Sequence, residues 1–422
     1  MKQIKGSFKI VLALLTVFFF IQSEGFAQRQ EAASAATPNP IPTPQQRDSL
    51  LAKMDAIDIS LLTVGPGNEV WSLYGHTALR YQDKNRRQDL AINYGAFNFE
   101  QDYFLLRFVF GATDYEMETI PMRLFMDVYQ AEGRWVREQQ LNLTREEKLI
   151  ITNALYKNSL PENVTYHYNF FYDNCTTRAR NMIVQHLNIS GYNADNHWNG
   201  ESYRTMIHQW TDNHRWTRFG NDLLLGIGSD FNTEKEASFF LPDSVSKEFE
   251  TMVLTNPDGS KRQLVSHCRM LIEPLSEDKR ASFGDPLSLF CQPRFVFGLL
   301  FAAILLTTWS LQYRKKHSLQ WLDALLLLLS GAAGWMLLVM VFSQHPTVRV
   351  NLQILLLNPL SLVFLFPTLK AARKGYAHWY WKVLAVCICL FLVGGFWQTY
   401  AEGMYFLALS LLVRCWANLR KK

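Results

Sequence analysis

The last third of the chain consists of long apolar runs separated by short polar loops, and this pattern constrains the fold more than any other feature. An α-helix needs about 20 mostly apolar residues to cross a bilayer. Five runs approach that length: 295–313, 321–343, 350–369, 382–399 and 403–417. The third and fifth are short or interrupted, so four spans is the alternative. The sequence predicts an all-α polytopic membrane domain over residues 293–422.

Basic residues between these runs predict how the domain is oriented. They follow the first run, the third run and the last run: Arg314, Lys315, Lys316, Lys370, Arg373, Lys374, Arg420, Lys421 and Lys422. Short loops rich in Lys and Arg stay in the cytoplasm, so the polypeptide before the first run lies outside it. Much of the net charge of +5 sits in these loops. The charge therefore indicates membrane topology, and no nucleic-acid partner is expected.

The N-terminus predicts export by an independent pattern. Three lysines precede a short apolar stretch, Ile10–Ile21, and Gly25-Phe26-Ala27 then offers small residues for cleavage. This pattern is typical of a signal peptide, here residues 1–27, with an uncleaved anchor as the alternative. An Ala/Pro-rich flexible linker is expected over 28–46. The predicted location is the bacterial inner membrane, multi-pass, with the domain at 47–292 in the periplasm.

Residues 47–292 predict an α+β domain. Strands are expected at 57–64, 77–81 and 90–94, an aromatic strand at 166–172, and a hairpin turn at 257–259. A capping box at Thr144–Glu147 predicts a helix to about residue 158. Another helix is expected to start near Asn174 and to run past Ile183.

Six cysteines are distributed in a way that makes Cys175 stand apart. Three lie in the apolar runs. Cys268 and Cys291 are candidates for a disulfide in an oxidising compartment, while Cys175 lies alone in a polar, aromatic stretch. No C-x-x-C pair is present, and the sequence predicts neither a metal site nor a cofactor.

The residues around Cys175 favour a nucleophile. Asp173 or Asn174 is a suitable N-cap, which would put Cys175 in the first turn of a helix. The backbone N–H groups there lower a thiol pKa. A base is still needed, and His76, at the start of a predicted strand, is the candidate. Asn93 on the next strand is a candidate to orient the imidazole. The alternative is a small buried cysteine and a structural histidine.

Further polar and aromatic residues have two interpretations each. Arg178, Arg180 and Asn174 are candidates to bind the substrate, and the two arginines would do so through a phosphate headgroup. The alternative is that the arginines pair with carboxylates such as Asp173. His345 is a candidate at a substrate entrance, or a residue that caps a helix. The aromatic run 97–110 is interpreted as core, with an acyl-chain groove as the alternative.

The order of these motifs resembles a known fold. A Gly-His strand, a second polar strand residue and an Asn-Cys pair opening a helix are similar to the circularly permuted papain-like fold. That fold includes NlpC-type cell-wall peptidases and lecithin retinol acyltransferase-like enzymes. The resemblance implies an α+β permuted papain-like periplasmic domain followed by the helical membrane domain.

The chain as a whole resembles the lipoprotein N-acyltransferase family of Bacteroides and relatives. The stretches that carry the resemblance are YGHTALR, INYGAF, FFYDNCTTRAR and SQHPTVRVNLQILLLNPL. It implies that His76 and Cys175 are catalytic and that the partners are a phospholipid acyl donor, a lipoprotein acceptor and the membrane. A membrane-anchored cell-wall peptidase or amidase and a non-catalytic envelope scaffold are the alternatives.

Overall fold

The computed structural model describes residues 44–97, 102–192, 198–274, 291–315 and 317–420. The first described element is helix α1 (Pro44–Lys53). The expected signal peptide, residues 1–27, lies outside the described residues, as does most of the expected linker. The prediction that residues 44–46 belong to that linker is wrong, because they form the start of α1.

A seven-stranded antiparallel sheet forms the centre of the first domain. Its strands lie in the order β10-β5-β1-β2-β3-β4-β6. Their bounds are β1 (Ile57–Val64), β2 (His76–Asp83), β3 (Gln88–Ala96), β4 (Asp114–Pro121), β5 (Val136–Leu141), β6 (Thr165–His167) and β10 (Val265–Ile272). Apolar residues alternate along β2 and β3, and their buried faces meet the core through Leu79 and Ile92. The three strands predicted at 57–64, 77–81 and 90–94 are confirmed.

Besides α1, the described residues of this domain form seven α-helices. They are α2 (Phe104–Phe110), α3 (Met122–Ala131), α4 (Arg145–Asn158), α5 (Cys175–Val184), α6 (Tyr203–Thr211), α7 (Arg215–Leu224) and α8 (Pro242–Thr251). Thr144 and Glu147 form the predicted capping box of α4. Helix α5 packs on β2 and β3 and buries Ala179 and Ile183. The α+β prediction is confirmed.

A small second sheet contains the predicted hairpin. Its strands β7 (Ile189–Tyr192), β8 (Met252–Thr255) and β9 (Lys261–Gln263) lie in the order β7-β8-β9. The prediction of a continuous strand at 166–172 is wrong, because only Thr165–His167 pairs with β4. The chain then turns, since Asn169 and Asp173 bond to each other through both backbone groups at 2.9 and 2.8 Å. This turn brings the next residues into position to start α5.

The C-terminal region is helical. Its elements are α9 (Pro293–Thr307), a π-helical extension (Thr308–Arg314), α10 (Gln320–Met340), α11 (Pro346–Arg349), α12 (Leu360–Val363), α13 (Leu365–Arg373), α14 (Tyr380–Gly394) and α15 (Met404–Leu419). Two continuous helices, Pro293–Arg314 and Gln320–Met340, are long and apolar enough to cross a membrane. Helices α14 and α15 are apolar but shorter.

The third predicted span is not one helix. Short helices and a 3₁₀ turn at Leu352–Leu355 replace it. Irregular backbone is tolerated at membrane depth only where protein covers it, and α10 provides that cover. Gly334 of α10 lies so close to the broken segment that a Cβ there would come within 2.1 Å of the Leu357 carbonyl oxygen. The interruption noted in the sequence is therefore a structural break, supported by small residues on the neighbouring helix.

Buried polar groups join the sheet domain to the helical region. The Gly226 N–H donates to the Thr347 carbonyl at 2.8 Å, and the Gln353 amide donates to the Asp222 carbonyl at 2.8 Å. Beneath them, the Arg204 guanidinium pairs with Asp222 at 2.7 Å, and all these groups are shielded from solvent. Directional bonds at a buried junction specify one arrangement of the two parts.

Candidate active site

The start of helix α5 places the Cys175 thiol. Asn174 is the N-cap, and its side-chain oxygen accepts the N–H groups of Thr176 and Thr177, each at 2.9 Å. Cys175 is the first helical residue, and it is partly exposed. The N–H of such a residue has no partner within its helix. The predicted cap and the predicted position of the cysteine are both confirmed.

Strand β2 brings His76 to this helix start. His76 is the first residue of β2, and its imidazole lies close enough to the Cys175 thiol for each group to shift the pKa of the other. The Asn93 side-chain oxygen on β3 lies 3.2 Å from His76 Nε2. A buried hydrogen bond of 3.1 Å between the Thr77 and Thr176 hydroxyls fastens β2 to α5. With Nε2–H donated to Asn93, Nδ1 is the nitrogen available to accept the thiol proton.

The two ionisable groups shift each other's pKa in opposite directions. Burial acts to raise the pKa of Cys175, but the charge of His76, its hydrogen bond and the Thr77 N–H lower that pKa to about 7. Burial acts to lower the pKa of His76, but the Cys175 thiolate and the Asn93 hydrogen bond raise it. A substantial fraction of the thiol is therefore ionised near neutral pH, as a nucleophile requires.

Gly95 leaves open space beside the nucleophile. Its φ of +97° favours glycine, and a Cβ there would lie 3.7 Å from the Cys175 Cβ and 4.0 Å from the Tyr166 hydroxyl. Tyr166 is buried, and its hydroxyl has no hydrogen-bond partner among the described residues. Tyr168 borders the same space. No local sequence pattern marks these residues as part of a site, although Gly95 lies in the stretch INYGAF that carries the family resemblance.

Tyr129 and Arg134 lie near the imidazole, and sequence reasoning missed both. The Tyr129 ring stacks on His76 with 6.3 Å between ring centroids. The buried Arg134 guanidinium lies 4.9 Å from the Tyr129 ring and donates to the Gly65 carbonyl at 2.7 Å. Its positive charge opposes protonation of His76 and so limits the rise of that pKa. No motif marks either residue, because both lie far along the chain from His76 and Cys175.

Asn174 has no free group for a substrate. Besides the two N–H groups that its oxygen accepts, its amide nitrogen donates to the carbonyls of Phe170 at 3.0 Å and Phe240 at 2.8 Å. The side chain is buried. The prediction that Asn174 contacts the substrate is therefore corrected: it holds the start of α5 in place.

Arg178 and Arg180 are bound to carboxylates. Arg178 forms two bonds to Asp173, each at 2.7 Å, and Arg180 forms two bonds to Glu248 at 2.7 and 2.6 Å. Such bidentate pairs occupy the face of the guanidinium that would bind a phosphate. Of the two interpretations offered by the sequence, the structure supports pairing with carboxylates. Binding of a headgroup by these arginines is not supported.

His345 lies where the sheet domain meets α10. Its ring packs against Gly111, just after α2, and burial lowers its pKa. The neighbouring Gln344 N–H donates to the Phe110 carbonyl at 2.8 Å. No described contact joins His345 to the Cys175–His76 pair, so its role at a substrate entrance stays a prediction.

The aromatic run near α2 is largely exposed. Phe97, Tyr103 and Phe108 have 43%, 78% and 55% of their surface exposed, and residues 98–101 lie outside the described residues. The interpretation of the run as core is therefore wrong for these three side chains. Their exposure leaves the groove alternative open.

Cys268 and Cys291 are free cysteines, so the suggested disulfide is absent. The Cys268 thiol on β10 lies 3.6 Å from a Glu250 carboxylate oxygen. The Cys291 carbonyl accepts the Trp216 indole N–H on α7 at 2.7 Å. Cys268 therefore contacts α8, whereas Cys291 contacts α7.

Two cavities of the described structure are well defined, and neither of these two is lined by Cys175 or His76. One of about 380 Å³ lies at the junction beside Arg204 and Trp397. The other, of about 520 Å³, lies among helix ends near Arg373 and Arg420. Within the described ranges, no group of three or more His, Cys, Asp or Glu side chains could hold a metal ion.

Comparison with known families assigns both parts of the chain. Residues 48–208 match the Lnb N-terminal periplasmic domain, and residues 285–422 match the Lnb transmembrane domain. The chain belongs to the Lnb family. The Lnb models confirm the resemblance drawn from the sequence, and they make this a membrane protein with a periplasmic part. No curated protein and no solved structure matches the chain.

The Lnb periplasmic match contains the whole candidate site. His76, Asn93 and Cys175 all fall within residues 48–208, whereas His345 falls in the transmembrane match. Lnb membership supports an acyltransferase of the lipoprotein N-acyltransferase type.

Proposed function

We propose that the chain transfers an acyl chain from a membrane phospholipid to the N-terminal amine of a lipid-modified cysteine on bacterial lipoproteins. A thioester on Cys175 is the intermediate. The observation that carries the proposal is the electrostatic pairing of Cys175, at a helix start, with a His76 imidazole that hydrogen-bonds to Asn93. Membership of the Lnb family supplies the reaction class.

In the first half-reaction the Cys175 thiolate attacks the carbonyl carbon of a phospholipid ester. A C–S bond forms, the ester C–O bond breaks, and the leaving alkoxide takes the proton held by His76. The lysophospholipid departs. The Cys175 backbone N–H and the unpartnered Tyr166 hydroxyl are our candidate donors to the oxyanion.

In the second half-reaction the free amine of the lipoprotein attacks the thioester. A C–N bond forms and the C–S bond breaks, while His76 accepts a proton from the amine and the Cys175 thiolate is restored. The product is an N-acylated lipoprotein. An oriented thiolate–imidazole pair serves both halves, because it alternately releases and accepts one proton.

The membrane setting of the proposal is the outer leaflet of the inner membrane. In this setting the ends of α13 and α15 face the cytoplasm, as the basic residues beside them predict. Helix α2 contacts α10, and its Leu106 and Phe108 side chains form exposed apolar surface. Both substrates carry acyl chains, so a site tethered there meets them without extracting them into water.

The direct test uses full-length protein in proteoliposomes with an isotope-labelled phospholipid and a diacylated lipopeptide. Wild type is expected to give a labelled N-acyl product by mass spectrometry. Cys175→Ala should give none, and His76→Ala should be slower by about 10²–10⁴-fold. Cys268→Ala, which removes an exposed thiol, is the matched control and should behave as wild type.

Omitting the lipopeptide tests the intermediate. The labelled acyl mass should then accumulate on the Cys175 peptide and be released by hydroxylamine. Full N-acylation by Cys175→Ala would reject the mechanism. Cleavage of peptidoglycan by the same preparation, without acyl transfer, would instead assign a peptidase, and inertness towards both substrates would favour a scaffold.

A further inference from the structure

We propose that the cavity among the cytoplasm-facing helix ends binds the phosphate-bearing headgroup of an anionic phospholipid. The cavity has a volume of about 520 Å³. The π-helical extension, the start of α10 and the ends of α13 and α15 surround it. It is separate from the candidate active site, whose residues do not line it.

The cavity carries uncompensated positive charge. Arg373 and Arg420 line it, both are exposed, and neither forms an ion pair within the described structure. No lining residue is Asp or Glu. The acidic residue in the first turn of α10, Asp323, is already neutralised by the buried Arg414 at 2.7 Å. A bound anion would meet two arginines and no competing carboxylate at the cavity wall.

Hydrogen-bond donors point to an oxygen-rich anion. Gln320, the first residue of α10, lines the cavity, and no side chain caps that helix. The first N–H groups of an uncapped helix bind phosphate oxygens well. Tyr313 also lines the cavity, and its buried hydroxyl has no hydrogen-bond partner among the described residues. Phosphate oxygens would accept bonds from both.

The surrounding aromatic side chains place the cavity at headgroup level. Five large aromatic residues near this end of the helices are exposed: Trp309, Trp321, Tyr376, Trp379 and Trp416. Trp and Tyr concentrate at the membrane–water interface. A phosphate bound at this depth is therefore attached to a lipid, and its acyl chains would run along the exposed apolar helix faces. Basic pockets between membrane helices on the cytoplasmic side bind anionic headgroups in this manner.

Gln312 connects the cavity to a buried ion pair. It lines the cavity, and its side-chain oxygen accepts from the Arg414 guanidinium at 2.8 Å. Arg414 also holds Asp323 of α10 and the Thr308 hydroxyl at 2.9 Å. A lipid in the cavity would therefore bridge the ends of helices that this polar cluster already joins. Its expected effect is to stabilise the transmembrane domain.

The test measures lipid binding to the detergent-purified full-length chain. Native mass spectrometry and thermal unfolding are followed while phosphatidylglycerol, phosphatidylcholine or inorganic phosphate is added. Phosphatidylglycerol should remain bound and raise the unfolding temperature. Each of Arg373→Gln and Arg420→Gln should weaken its binding by about fivefold. Tyr313→Phe, which changes no charge, should weaken it less.

Arg314→Gln is the matched control. Arg314 also lies over an exposed tryptophan at this end, as Arg420 does, but it does not line the cavity. The Arg314→Gln variant should bind phosphatidylglycerol as the wild type does. Equal binding of phosphatidylcholine, equal losses in Arg314→Gln and Arg420→Gln, or full stabilisation by inorganic phosphate alone would each overturn the proposal. None of these outcomes depends on acyl transfer.

Discussion

The charged forms of the thiol and the imidazole of the candidate site favour each other, in spite of their surroundings. Burial disfavours a charged form of either group. Each group's charge, however, favours the charged form of the other, and the Thr77 N–H and the Asn93 oxygen add to this effect. Ionisation of Cys175 therefore depends on His76 more than on any other side chain.

Removing His76 should consequently raise the pKa of Cys175. In wild type, the rate of Cys175 alkylation should rise with pH around a midpoint near 7, because that is the pKa of the paired thiol. In His76→Ala only burial and weaker hydrogen bonds remain, so the midpoint should move towards or above the ordinary thiol range. Peptide mass spectrometry can follow Cys175 alongside Cys268, whose pKa is raised. An unchanged midpoint would show that the two side chains are not coupled.

The sequence could predict only those site residues that a local motif or the family resemblance marks. Cys175 was recognisable because an Asn-Cys pair opening a helix is local chemistry, and His76 because it follows a glycine at a strand start. Asn93 came from the resemblance to the permuted fold. Tyr166 and Arg134 were not recognisable, since only the tertiary fold brings them near the pair.

At the scale of single elements, the N-cap of α5 controls the position of the nucleophile. Asn174 ties this helix start both to its own first turn and to the carbonyls of Phe170 and Phe240. Because Asn174 holds these two segments as well as the helix end, it contributes both to the stability of the fold and to the reactivity of Cys175.

Asn174→Ala should therefore lower both stability and thiol reactivity. Losing the cap costs about 1–2 kcal/mol, and the two carbonyls lose their donor as well. The melting temperature should fall, and Cys175 alkylation at pH 7 should slow in the folded protein. Thr144→Ala, which removes the capping box of α4, is the control. It should lower stability with no effect on Cys175, and a similar loss of reactivity there would contradict a positioning role for Asn174.

Helices and strands were predictable from the sequence where a single local pattern determines them. The strands β1 to β3 and helices α4 and α5 appeared as predicted, because alternation and capping residues agree with the final fold. The segment 350–369 reads as apolar and was assigned to one span. Its several short pieces are stabilised by contacts with Gly334 and Gln398, which no local pattern reveals.

For the molecule as a whole, the junction between the periplasmic and transmembrane domains is polar and buried. Arg204 neutralises Asp222 and Asp230 there, and its guanidinium also donates to the Leu225 carbonyl at 3.1 Å. The net value of a buried ion pair is small, but removing one partner leaves the other charge unpaired.

Arg204→Met should therefore destabilise the chain by about 3 kcal/mol, because Asp222 and Asp230 lose their shared guanidinium partner and Asp222 keeps only His208 and Arg218. Thermal unfolding of the detergent-purified chain measures the loss. Arg145→Met removes a bidentate pair with Asp55 in which both side chains are 56% exposed. That control should cost less than about 1 kcal/mol. Equal losses in the two variants would show that the junction does not depend on Arg204.

The bonds of Gln353 and Gln398 to the carbonyls of Asp222 and Leu225 leave little freedom for a hinge at this junction. Cys175 is then held at one distance from the helices of the transmembrane domain. In the proposed acyl transfer, we expect this distance to decide which of the two ester linkages of a glycerolipid reacts, since only the linkage that lies at the depth of the sulfur can be attacked. Lengthening the connection between the two domains should make the reaction less selective between the two ester linkages.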